Sequence, residues 1–134
     1  MPEQQISLEQ FISNLWNSYE ECCSSSDTTE DEQHFYTTIR SAFSTQQRKD
    51  PALRRDAARI LHIFLIQIAK LPDEDWGEYA RLKDLYDCRI CANAIAQVCV
   101  RSLLHPVSRT EFGSLRPLSE KEASDAIECL LSLL

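Results

Sequence analysis

The chain has 134 residues, 43% hydrophobic and 26% charged, the proportions of one ordinary globular domain that needs no disulfide or metal staple. It carries 14 Lys and Arg against 21 Asp and Glu, a net charge of −7, which excludes any general electrostatic attraction to nucleic acid or an anionic membrane. Only Gly77 and Gly113 are glycines, which excludes phosphate-cradling loops, dinucleotide fingerprints and the Gly-dependent hairpins of an all-β fold.

Met1 is followed by Pro2, Glu3, Gln4 and Gln5, with neither a basic start nor an apolar stretch behind it. The longest apolar run, Ile60 to Ala69, is interrupted by His62 and Gln67 and is too short to span a bilayer. A cytoplasmic protein is therefore expected, with its six cysteines as free thiols.

Helical periodicity runs through the whole chain. Ser7 and Gln10 make a capping box, and Leu8, Phe11, Ile12, Leu15, Trp16 and Tyr19 stripe a first helix over about residues 7–22. The polar stretch from Cys22 to Thr28 breaks it. Thr29 and Glu32 make a second box, and Phe35, Tyr36, Ile39, Ala42 and Phe43 stripe a helix over about residues 30–46. Asp50-Pro51 predicts a third start, a capping carboxylate followed by proline at the first helical position. The helix behind it, about residues 51–70, carries Leu53, Ala57, Ile60, Leu61, Phe64, Leu65 and Ile68, with Ile63 and Ile66 off the stripe. A helix apolar nearly all round is expected to be surrounded by the others.

Pro72 ends that helix, and Asp73 to Leu82 reads as a loop or short helical turn holding Trp76 and Tyr79. Asp87 is the expected cap of a fourth helix, about residues 88–104, with Cys91, Ala94, Ile95, Val98 and Cys99 inward and His105-Pro106 at its end. Ser108 and Glu111 predict one short helical turn before Gly113. Ser119 and Glu122 form a last capping box, and Ala123, Ala126, Ile127, Leu130, Leu131 and Leu134 stripe a C-terminal helix. The expected class is all-α, a compact domain of about five main helices.

Three helix starts fall in register: Ile6-Ser7-Leu8-Glu9-Gln10-Phe11, Ala52-Leu53-Arg54-Arg55-Asp56-Ala57 and Leu118-Ser119-Glu120-Lys121-Glu122-Ala123. Each has an apolar entry, an acidic or amide residue four positions on, then an apolar residue. Together with Leu82-Lys83-Asp84, Ala94-Ile95, Phe112 and Pro117, this arrangement resembles S-layer homology repeats. By that resemblance residues 7–22 are a half-repeat, 30–70 a degenerate repeat and 80–134 the best match. It implies three helix pairs packed in a pseudo-threefold prism that grips cell-wall polysaccharide. The family's ligand-contacting arginine would fall at Leu8, Arg54 and Glu120, so Arg54 alone keeps it.

Little catalytic chemistry is visible. Cys88-Arg89-Ile90-Cys91 is a C-x-x-C; a zinc half-site would want a second spaced pair, and only the adjacent Cys22-Cys23 is on offer. A redox motif favours a βαβ setting, whereas core packing of Cys91 and Cys99, with Cys88 at a helix start, suits a helical chain. His34, His62 and His105 form no local catalytic arrangement. Asp73, Glu74, Asp75 and Glu78 lack the alternation and central glycine of a calcium loop. No catalytic residue, metal or cofactor is expected.

Arg48, Lys49, Arg54, Arg55 and Arg59 cluster positive charge at one helix start, with Arg54 expected on a solvated surface beside carboxylates. The expected binding residues are Arg54, Arg55, Asp56, Trp76 and Tyr79, the two aromatics as interface anchors in an acidic loop, with the alternative that Trp76 simply covers the end of the 51–70 helix. The expected function is a non-enzymatic macromolecular interaction module with a protein partner. Its most concrete form is a small acidic inhibitor docking on a basic, nucleic-acid-binding protein surface, the kind of antagonist a phage encodes. The alternative is a module binding bacterial cell-wall polymer. Neither nucleic acid nor membrane is an expected partner.

Overall fold

Amphipathic stripes must bury against one another, and among the described residues five of six α-helices do so around one apolar core. The computed structural model describes residues 5–22 and 29–134. The helices are α1 (Leu8–Cys22), α2 (Thr29–Ala42), α3 (Thr45–Lys49), α4 (Arg54–Gln67), α5 (Arg89–Val100) and α6 (Glu120–Ser132), with 3-10 turns at Gly77–Arg81 and Lys83–Asp87. The fold is all-α, and no described helix is long and apolar enough to cross a membrane.

Local signals account for several boundaries. The Ser7 hydroxyl accepts from Gln10 N, and the Ser119–Glu122 box is complete in both directions. The Thr29 side chain of the Thr29–Glu32 box, and residues 23–28 of the expected break, lie outside the described residues. The helix expected to reach residue 46 ends instead at Ala42. Ser44 and Gln47 close a capping box of their own and start the short α3, so a local cap wins over helix continuation. Asp50 is not a helix N-cap; it closes α3 and accepts from Gln46 Nε2 at 2.9 Å.

Helix α4 begins three residues later than Asp50-Pro51 predicts, because Pro51, Ala52 and Leu53 are extended and paired. Isolated bridges join Ser7 to Pro51, Leu53 to Pro117 and Gln5 to Ser119. Ala52 N donates to Ile6 O and Leu118 N to Ala52 O, both at 2.7 Å; Leu8 N donates to Asp50 O at 3.1 Å and Arg54 N to Arg116 O at 2.9 Å. The three in-register entry segments thus pair cyclically, each with the next. Ile6, Ala52 and Leu118 are buried at their meeting point, and α1, α4 and α6 leave it two residues further on.

Phe64 sits where the helices converge, fully buried, with the rings of Tyr19, Phe35 and Trp16 at centroid distances of 5.3, 5.8 and 6.5 Å. Leu61 and Leu65 are buried beside it. The expectation that α4 is enclosed on every side fails at Ile66, which is 42% exposed. Helix α5 is capped by Cys88 with no side-chain bond, not by Asp87, which belongs to the preceding 3-10 turn. It stops at Val100, short of residue 104, as Ser102 takes a φ of 63° and turns Leu103 and Leu104 back into the core. Ser108 and Glu111 make a bend in which Glu111 N donates to Ser108 Oγ at 3.1 Å, not a helical turn.

Candidate functional site

The first residues of α4 reach in two directions. Arg54 is 3% exposed, which corrects its expected place on a solvated helix start. Its guanidinium donates to the carboxylate of Glu122 and to His105 O, and its Nε to Phe112 O at 3.2 Å, while its plane lies 4.5 Å from the Phe112 ring centroid. A buried arginine with three acceptors and a ring face is satisfied as a structural element. Glu122 meanwhile returns its other oxygen to Ser119 N, so one carboxylate closes the α6 cap and neutralises Arg54.

Arg55 and Asp56 are the two expected binding residues that the fold brings together. They line a cleft of ≈ 420 Å³ with Asp50, Pro51 and Pro117, over the cyclic junction of the helix starts. Burial raises the pKa of Asp56 despite the neighbouring Arg55 and Arg59. Arg55 also borders a second cleft of ≈ 380 Å³, with Asp84, Asp87, Cys88, Leu115 and Arg116. The expected basic cluster is dispersed: Arg54 is buried, and Arg59 lies over the Phe43 ring at 4.5 Å.

Trp76 and Tyr79 line neither cleft. Both are half-buried against the core. Trp76 Nε1 donates to Asn93 Oδ1 at 2.9 Å. Asn93 also holds Asp73, Gln97 grips Glu74 through both its N–H (2.9 Å) and its C=O (2.7 Å), and Arg101 donates to Pro72 O at 2.6 Å. His62 reaches Asp73 from α4 at 2.7 Å. The acidic loop is therefore tied down along one face of α5. Polar residues at positions 93 and 97 of an apolar helix and 101 at its C-cap, spaced by four, were the signal for it.

Asp84 organises the wall of the second cleft. It accepts from the backbone N–H groups of Phe112, Gly113 and Ser114 at 2.8, 2.8 and 3.0 Å, and from the Ser114 hydroxyl. Burial alone would raise its pKa, but these donors outweigh it and hold the carboxyl below its ordinary value. Gly113 is required there: its φ is +83°, and a Cβ would come within 2.9 Å of Val107 Cγ1.

Cys88 and Cys91 are joined as a disulfide, contrary to the expectation that all six cysteines are thiols. A cap residue and the third residue of its helix lie close together, here with Cα atoms 5.2 Å apart, well within bridging range. Cys99 is a buried thiol whose pKa burial pushes up to about 12, so it stays neutral. Among the described residues no three or more His, Cys, Asp or Glu side chains gather to hold a metal. No protein-family model, curated protein or solved structure matches the chain.

Proposed function

We propose that the protein is an interaction module of the cytoplasm that docks by an acidic face on a basic or nucleic-acid-binding surface of another protein, as a small inhibitor would. The observation that carries this reading is where the charge lies. Glu20 and Glu21 end α1, and Glu30, Asp31 and Glu32 begin α2. Glu20 and Glu32 converge on Tyr36, whose pKa rises through burial and then through both carboxylates. The ion pairs among the described residues are Arg54–Glu122, Arg55–Asp56, His62–Asp73 and Arg81–Glu78, none of which involves these five carboxylates, although Arg40 shares a cleft with Glu32 and Tyr36. A predominantly negative field steers a basic partner. Affinity capture from the native host tests it. The wild type should enrich a basic protein that the Glu30→Lys, Asp31→Lys, Glu32→Lys variant fails to retain; equal retention by both removes the acidic face from the account.

A second reading, an S-layer homology-type module on cell-wall polymer, draws support from the cyclic pairing of the three helix starts. That is the arrangement a pseudo-threefold prism needs. Arg55, facing both clefts, is the residue to test, since replacing the buried Arg54 disturbs the fold itself. Sedimentation with polymer-bearing sacculi, lost in Arg55→Ala, would move the proposal to the cell wall.

A further inference from the structure

Cys88 and Cys91 differ sharply in access. Cys91 is 1% exposed, whereas Cys88 is only partly buried and lines the ≈ 380 Å³ cleft. An incoming thiol therefore meets one sulfur of the pair and not the other. Cys88 is also the N-cap of a twelve-residue helix that no side chain caps. A thiolate released at this position lies at the positive end of the helix, which favours its charge.

The surroundings add a third, independent observation. Among the described residues the most exposed large apolar side chains are Ile90 (74%), Leu115 (66%) and Tyr86 (65%). Ile90 lies between the two cysteines, Tyr86 is two residues before Cys88, and Leu115 lines the cleft with it. Leu115 thus sets an exposed apolar side chain beside the accessible sulfur of the pair, while Ile90 faces a separate cleft with Arg59, His62 and Ile63. The same cleft carries Asp84, Asp87 and Glu111 against Arg55 and Arg116, a balance that disfavours an anionic thiol.

We propose that Cys88–Cys91 is a thiol–disulfide exchange site whose substrate is a cysteine in an uncharged, apolar polypeptide segment. The substrate thiolate attacks Cys88 Sγ, a substrate–Cys88 disulfide forms, and the electron pair of the broken bond leaves on Cys91 Sγ, which takes up a proton. A second substrate thiolate then attacks the substrate sulfur of the mixed disulfide and releases Cys88. Two substrate thiols become one disulfide, and the protein gains two electrons and two protons as a dithiol. Run in reverse, a substrate disulfide reoxidises the pair. In a reducing cytoplasm such a bridge is transient, which is the behaviour of an exchange site rather than of a staple.

The test uses the full chain and two probes, a Leu-Cys-Phe peptide with blocked ends and glutathione, each in its oxidised form. In Cys91→Ala, mass mapping should find the peptide on Cys88 about tenfold faster than on the exposed thiol Cys22, and faster than glutathione reaches Cys88. Leu115→Glu should remove the preference for the peptide while leaving the melting curve in place. For wild type, which needs no altered fold, the two-hydrogen mass difference of the Cys88–Cys91 peptide should appear and vanish reversibly in graded mixtures of reduced and oxidised peptide. Modification of Cys88 no faster than Cys22, no preference between probes, or a bridge that stays closed in reduced peptide would each overturn the proposal.

Discussion

Arg54 and Asp84 hold opposite edges of the same residue. Arg54 Nε donates to Phe112 O at 3.2 Å, and Phe112 N donates to Asp84 Oδ1 at 2.8 Å, so a cation from α4 and an anion from a 3-10 turn fix one backbone segment between them. That segment leads to Pro117 and Leu118, which close the cyclic junction with Leu53 and Ala52. The two charges thus connect the cleft wall to the point where three helices start.

Removing the cation should cost far more than a surface arginine does. Arg54→Ala leaves the carbonyls of Phe112 and His105 without their donor and Glu122 without its partner, a loss of about 2–4 kcal/mol. The 37% exposure of the Glu122 side chain keeps the cost below that of a fully buried pair. Urea denaturation of the variant measures it; a loss under about 1 kcal/mol would return Arg54 to the class of surface ion pairs.

The anion makes stability depend on acid. Hydrogen bonds hold the pKa of Asp84 below its ordinary 3.8, and those from His62 and Asn93 do the same for Asp73 against the opposing effect of burial. A depressed folded pKa contributes stability that is complete above the unfolded value and is lost as pH falls through the folded one. Asp56, raised by burial, works in the opposite sense and gains as it is protonated. Wild type should therefore lose stability on acidification from about pH 5 to pH 3, and Asp84→Asn should show a flatter profile in urea melts across that range.

Gly113→Ala tests the cleft wall from the side of the backbone. A methyl group at φ +83° is strained and meets Val107 Cγ1 at 2.9 Å and Cγ2 at 3.2 Å. The expected cost is about 2 kcal/mol or more, and in a Val107→Ala background it should shrink by about 1 kcal/mol as the crowding is relieved. Equal costs in the two backgrounds would place the strain wholly in the dihedral angle.

Within the core, Phe64→Ala should cost about 3–5 kcal/mol, since three rings lose their common neighbour. Ile66→Ala, two positions along the same helix but 42% exposed, should cost below about 1 kcal/mol. Chemical melts of the pair decide whether α4 is central on one face only.

What was legible in the chain was local. The Ser7 and Ser119 caps and the Phe64 stripe depend on residues three or four apart, where periodicity speaks directly. Asp50-Pro51 misled because proline's missing N–H suits an extended entry as well as a first helical turn, and the partner that decides between them, Ser7, is far away in sequence. Arg54 looked solvated because Glu122 lies 68 positions on, and the Asp84 donors lie 28 to 30 positions on. The Cys88–Cys91 bridge was missed for another reason: the compartment argument displaced the geometry of a cap and its third helical residue. Trp76 found its partner in Asn93, on a helix read only for its apolar face.

The central claim, docking through the acidic ends of α1 and α2, is tested most directly by stepped-salt elution of whatever protein wild type captures from its host. Opposed charge fields are screened as the Debye length falls from about 10 Å at 0.1 M salt to about 3 Å at 1 M. The account predicts a basic partner released within that range and never held by the Glu30→Lys, Asp31→Lys, Glu32→Lys variant. A partner that stays bound at 1 M salt, or that binds the variant equally, would contradict it.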